Sequence, residues 1–304
     1  MSAAPRRRPY TVPMRCTSVL AFLLLLPPAV LAEAFHFDWP VPAAVGVRAT
    51  VDKDGSVSTA HYRIALSRAG DGELALTFDD FELVEVDGRD AAAIATELAP
   101  LTALTATLPA LRLSAEGVFL GTSDPAAAVA QTLHLLPEDM PQATRERLAE
   151  SLRSPAMLQL MQQKSGELWN AWVGAWNGLE IASGKSLHGQ MPVKVLGREL
   201  TRHVRIEHLG EAVGFPGSMR LRMTTVVEGP EVLALVGGLV GQVAGKDGLP
   251  QAFDSARSHN VTEIVTRPAD LVPRYVETVS EVVLRDGEGR AHTRRDSKEF
   301  WFEW

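Results

Sequence analysis

Apolar and polar residues alternate with a period of two through the first and last thirds of the chain. Ala60, Tyr62, Ile64 and Leu66 fall on one side of a segment whose other side carries His61, Arg63 and Ser67. Leu74, Leu76 and Phe78 share the next face, and Asp54-Gly55, Asp71-Gly72 and Asp87-Gly88 supply hairpin-turn dipeptides between such segments. Residues 35–121 therefore read as mostly strand, in an antiparallel sheet with one buried face. Pro100 and Pro109 limit any helix in the Thr- and Ala-rich stretch 91–113.

The period changes to 3.6 over residues 124–182. Asp124-Pro125 and Ser154-Pro155 each pair a capping side chain with a proline at the first helical position. A first helix ends at Pro137–Pro141, a second covers about 142–153, and a third runs from Pro155 to about Ile181. Leu158, Met161, Leu168, Trp169, Trp172, Trp176 and Leu179 form one stripe on this third helix. Residues 185–304 return to strand. Leu200, Val204 and Ile206 oppose Glu199, Thr201, His203, Arg205 and Glu207; Met219, Leu221, Met223, Thr225 and Val227 alternate with Arg220, Arg222 and Thr224. A short apolar helix is expected at about 230–245. Tyr275–Leu284 turns at Asp286-Gly287 into residues 291–304. Without regular βαβ alternation, this order predicts an α+β fold: a curved, mostly antiparallel sheet packed on a Trp-rich helix, with one additional short apolar helix.

The first 34 residues stand apart. Arg6, Arg7, Arg8 and Arg15 precede the apolar run Val19–Leu26, Pro27-Pro28 breaks it, and Ala32-Glu33-Ala34 places small residues at a peptidase site. This is the pattern of a secretory signal peptide, with cleavage expected after Ala34. The run is short of the roughly 20 residues that span a bilayer. Met14-Arg15-Cys16 offers a second plausible start. The expected organisation is a signal peptide, 1–34, and a single domain, 35–304, exported to the periplasm or outside a bacterial cell.

Composition then changes what that export means. Cys16 is the only cysteine and leaves with the leader, so a chain of some 270 residues must hold itself by its core rather than by disulfides. Four of the 30 basic residues and Glu33 leave as well, taking the net charge from −7 to −10. That balance argues against nucleic acid and anionic lipid surfaces as partners.

Motifs with chemistry are few. Gly184-Lys185-Ser186 resembles the end of a phosphate-binding loop, but Leu179 stands where the first glycine belongs. Asp52-Lys53-Asp54-Gly55 lacks the later ligands of a calcium loop and reads as a hairpin turn. His203 and His208 lie five apart and point to opposite faces of a strand. Asp79, Asp80 and Glu82 read as a solvated edge. No catalytic residue, metal set or cofactor is expected, and a hydrolase with an unrecognised site ranks below a binding protein.

Trp169, Trp172 and Trp176 are the most unusual cluster, at i, i+3 and i+7. One reading makes them core beneath the sheet; the other makes them, with Leu179, the lining of an apolar cavity for a lipid or other apolar small molecule. Gly166, Gly174 and Gly178 imply close backbone approach or local mobility nearby. Gly237, Gly241 and Gly245 imply tight packing of the short apolar helix. The alternation Phe300, Phe302, Trp304 reads as a last strand pinned into the sheet. No segment of the mature chain is expected to span a membrane.

A sheet wrapped over an inner helix behind a signal peptide resembles the periplasmic lipoprotein-carrier folds. Gly189-Gln190-Met191-Pro192-Val193 and Pro268–Arg274 resemble stretches of uncharacterised bacterial secreted β-rich proteins. The resemblance implies binding or transfer of a hydrophobic molecule, or envelope maintenance, and it transfers no site residue. The leading expectation is an exported, non-catalytic envelope protein that binds a hydrophobic ligand between sheet and helix. The alternative is an envelope interaction or structural protein with a filled core.

Overall fold

The period-two segments become strands of one antiparallel sheet. The computed structural model describes residues 32–94, 109–134, 140–195, 198–229, 232–233 and 253–304. Its strands are β1 (Ala32–Phe35), β2 (Ala43–Lys53), β3 (Ser56–Arg68), β4 (Leu74–Val86), β5 (Arg89–Asp90), β6 (Leu111–Leu113), β7 (Phe119–Thr122) and β8 (Leu179–Ala182). They continue as β9 (Ser186–Val195), β10 (Arg198–Glu211), β11 (Met219–Glu228), β12 (Phe253–Thr266), β13 (Pro273–Asp286) and β14 (Ala291–Glu303). The helices α1 (Pro125–His134), α2 (Gln142–Arg153) and α3 (Pro155–Trp169) fall between β7 and β8. The α+β reading holds: the sheet is curved, antiparallel and open, with a Trp-bearing helix on it.

Among the described residues the large sheet runs β7-β6-β4-β3-β2-β14-β13-β12-β11-β10-β9, with β5 beside β4. Two meanders of consecutive strands thus meet where β2 pairs with β14, near the chain's two ends. The C-terminal strand is central rather than an edge, and Phe300 and Phe302 stand opposite Ala49 and Val47. The turns follow the dipeptides. Asp54 and Gly55 both take positive φ, +56° and +88°, as the two-residue turn between β2 and β3 requires.

Strict alternation gives the sheet two unlike faces. Val45, Val47, Tyr62, Ile64, Leu66, Leu74, Leu76, Leu221, Ile264, Val276, Phe300 and Phe302 point to the helix side and are buried there. Their neighbours point to the other side, which is polar. Each large side chain taken from water on the helix side contributes about 1.5–3 kcal/mol, which makes that side the main source of stability.

The predicted caps are formed. Asp124 Oδ1 accepts from Ala127 N–H at 2.9 Å and Ser154 Oγ from Met157 N–H at 3.3 Å. The third helix, however, is shorter than its apolar stripe predicts. It ends at Trp169, widens into a single π turn over Asn170–Gly174, and stops before Gly178, whose φ is +79°. Leu179–Ala182 then forms β8 instead of a last helical turn, because β1 offers it a partner. Leu179 faces Phe35 across this ladder, so its expected place on the helical stripe is corrected. Ala32–Ala34, which the leader pattern includes, belong to the same ladder. The helix expected at 230–245, with Gly237, Gly241 and Gly245, lies almost wholly outside the described residues, as do residues 1–31 and 95–108.

Candidate functional site

The three candidate indoles sit at the end of α3 and in the π turn that follows. Trp169, Trp172 and Trp176 are each fully buried. Trp169 meets Phe37 and Trp39 edge-on, at 5.8 and 5.5 Å between ring centres. Trp172 meets Phe300 and Phe302 edge-on, at 5.5 and 5.3 Å. These T-shaped contacts are the favoured geometry of aromatic pairs, so the rings interlock. Leu179 joins the same cluster, half-buried, from β8. The structure thus brings all four candidates together, three from the helical segment and one from a strand.

Most indole N–H groups here have acceptors. Trp169 Nε1 donates to Gly117 O at 2.8 Å, Trp176 Nε1 to Ala171 O at 2.9 Å, Trp39 Nε1 to Leu271 O at 2.9 Å and Trp304 Nε1 to Pro273 O at 2.7 Å. Trp172 Nε1 is buried and has no partner among the described residues. Two glycines of the region are explained by contact. A Cβ on Gly117, where φ is +77°, would lie 2.4 Å from Phe37 Cγ; one on Gly166 would lie 3.0 Å from Phe119.

Among the described residues, nothing covers the opposite face of the sheet. A groove of about 590 Å³ opens across β10–β14, lined by Arg205, Glu207, Arg222, Thr224, His259, Val261, Glu263, Glu277, Val279, Glu281 and Arg295. A second hollow of about 350 Å³ shares Arg295 and reaches the β2–β3 turn at Asp54 and Gly55. One cross-strand row contains Glu207, Arg222, Glu263, Glu277 and Glu299 in that order. Three glutamates are therefore consecutive neighbours, an arrangement that like-charge repulsion disfavours.

The row is only partly neutralised. Arg220 Nε and Arg222 Nε donate to the two oxygens of Glu263 at 2.9 and 2.6 Å. Burial pushes the Glu263 carboxyl up, and these hydrogen bonds and charges overcome it, so it ionises below the usual carboxylate range. Tyr275, one row away, packs on Trp301 at 4.5 Å. Burial, followed by the Glu277 and Glu299 carboxylates, pushes the Tyr275 phenol well above its ordinary value. Trp301 itself remains 42% exposed.

Sequence reasoning found Arg220 and Arg222 on one side of a strand but missed the groove, because it assigned no strand to Phe253–Thr266, where β12 lies. The signal was present as the alternation of Glu277, Val279 and Glu281. Of the remaining candidates, Asp79 and Asp80 are exposed on β4, and Asp80 pairs with Arg63 at 3.1 Å. His203 is exposed on the open face and His208 buried beneath the other, as their spacing requires. His61 is exposed opposite Glu82. Gly184-Lys185-Ser186 forms the turn from β8 into β9, where Gly184 has φ +72°. Among the described residues, no group of three or more His, Cys, Asp or Glu is arranged to hold a metal ion, and no helix is long and apolar enough to cross a membrane.

No protein-family model matches the chain, and no curated protein matches it. Among solved structures it is similar to one of lipovitellin, described for lipid–protein interactions, at 8% identity and a TM-score of 0.39. The match covers 88% of this chain and 26% of that one, so the chain spans about a quarter of lipovitellin's length. A likeness at that score carries no argument about function.

Proposed function

We propose that the chain is an exported, non-catalytic binding protein of a bacterial envelope, and that its partner engages the uncovered face of the sheet. One observation carries the reading. The two faces differ: the helix face is occupied by interlocked aromatic rings, and the other is an open groove lined with charges from five neighbouring strands. A ligand entering between sheet and helix would have to part Trp172 from Phe300 and Phe302. A polar partner reaches Glu277, Glu281 and Arg295 without disturbing the core. The arginine-led apolar leader supports export to the periplasm or beyond, and the acidic balance speaks against nucleic acid.

Photo-crosslinking residues placed at Thr224 and Val279, within the groove, and at Lys164, on the solvent side of α3, test this in cells. The expected outcome is a crosslinked species from the two groove positions and none from position 164. Crosslinks from position 164 alone would overturn the reading.

A second reading has a single observation in its favour. The buried Trp172 N–H has no acceptor, and an apolar molecule bearing one oxygen would satisfy it. Under that reading a lipid or other apolar small molecule is held between sheet and helix against Trp169, Trp172, Trp176 and Leu179. Titration with fatty acids and phospholipids, followed by indole emission and Tm, tests it. A blue shift with a higher Tm favours it; unchanged emission and Tm remove its support.

A further inference from the structure

We propose that the leader is removed between Ala32 and Glu33, two residues before the site that Ala32-Glu33-Ala34 indicates from sequence. The inference rests on the export reading above and concerns where the mature chain begins. Residues 32–35 form β1, paired in register with β8: Glu33 opposite Ile181, Ala34 opposite Glu180 and Phe35 opposite Leu179. A cut after Ala34 would delete three of these four strand residues.

The side chain of Glu33 has a specific partner. Its Oε2 lies 3.1 Å from Nε2 of His208, whose side chain is fully enclosed beneath the sheet. The ring also lies against Phe35, at 5.7 Å. Nδ1 of His208 is buried without a partner, so among the described residues the bond to Glu33 is the ring's one hydrogen bond. Removing Glu33 would take away the hydrogen-bond partner of a ring that the fold encloses when β1 is in place.

The new terminus points the same way. Cutting after Ala34 would put an ammonium on Phe35, a residue 1% exposed with β1 in place and bonded through its carbonyl to Gly178 N–H at 2.8 Å. Cutting after Ala32 would put the charge on Glu33, whose side chain is 34% exposed and carries a carboxylate. Ala32 still supplies the small residue that the peptidase requires at the bond, two places after Val30.

The test is N-terminal sequencing of the full chain recovered from the periplasm or medium of a bacterial host, beside an Ala34→Arg variant. Ala34 is exposed on β1, so the variant leaves the packing intact. The expected start is Glu-Ala-Phe-His in the native chain and Glu-Arg-Phe-His in the variant, with the variant processed to the same extent. A native chain starting at Phe35, or a variant whose processing is abolished, overturns the cut while leaving export standing. Retention of the entire leader overturns the export reading and the cut with it.

Discussion

Trp169 donates its indole N–H to the carbonyl oxygen of Gly117 at 2.8 Å, joining the end of α3 to the turn between β6 and β7. The bond is possible because Gly117 has no side chain. Its φ of +77° disfavours any L-residue, and a Cβ would fall 2.4 Å from Phe37 Cγ, against the ring that packs on Trp169. Gly117→Ala is expected to cost about 2–4 kcal/mol, combining left-handed strain with overpacking. Urea denaturation measures it; a loss below about 0.5 kcal/mol would contradict this account of the turn.

Two neighbouring indoles should respond differently to the same change. Trp169→Phe strands the Gly117 carbonyl, whereas Trp172→Phe removes a donor that has no acceptor. The two lose similar ring volume, so the hydrogen bond should decide. Trp169→Phe is expected to destabilise by about 1–3 kcal/mol more than Trp172→Phe. The reverse order in equilibrium unfolding would mean that Trp172 has a partner in solution.

Much of this arrangement was legible in the sequence because it depends on local rules. Asp124, Ser154 and Asp54-Gly55 mark their helix starts and hairpin turn directly, and alternation assigns Phe300, Phe302, Leu221 and Ile206 to the helix side. The end of α3 was not legible. Leu179 continues a helical stripe, yet it leaves the helix because β1, 144 positions earlier in its Phe35–Leu179 pairing, competes for its backbone. The groove was missed for a related reason. Glu263, Glu277 and Glu299 are far apart in sequence and become neighbours only through the register of three strands. Nor could the sequence show which of two readings of the indoles the packing favours, since core and cavity lining use the same residues.

Acid should weaken the link between β11 and β12. Glu263 ionises below the usual range, because the hydrogen bonds and charges of Arg220 and Arg222 outweigh its burial. A carboxyl whose folded pKa is depressed contributes stability above its unfolded pKa, near 4.3, and loses that contribution as pH falls through the folded value. Glu263→Gln should therefore be less stable than the native chain near neutrality, by about 1–2 kcal/mol for a partly screened charge-assisted pair. The gap should narrow as pH drops below about 4.3. Unfolding free energies followed from neutral pH into acid measure this; a gap that does not depend on pH would contradict it.

Glu277 stands between Glu263 and Glu299 and forms no ion pair among the described residues. Glu277→Gln removes its repulsion with both neighbours while keeping a side chain of the same size. It is expected to stabilise the chain by about 0.2–1 kcal/mol at low ionic strength, with the gain shrinking as salt is added. Paired melts at low and high salt measure it, and a destabilised variant would show that the hydrogen bond Glu277 accepts from Tyr275 outweighs the repulsion.

The central claim is that the aromatic core beneath α3 is closed and that binding belongs to the other face. All six tryptophans are described, and Trp301 and Trp304 are the two that reach solvent, at 42% and 36% exposure. A Trp301→Phe, Trp304→Phe variant leaves Trp39, Trp169, Trp172 and Trp176, all enclosed. The most direct measurement is quenching of this variant's indole emission by brominated fatty acids and brominated phospholipids. A closed core predicts emission that stays unchanged across the titration. Saturable quenching of the enclosed indoles would contradict it and place an apolar ligand between the sheet and the helix.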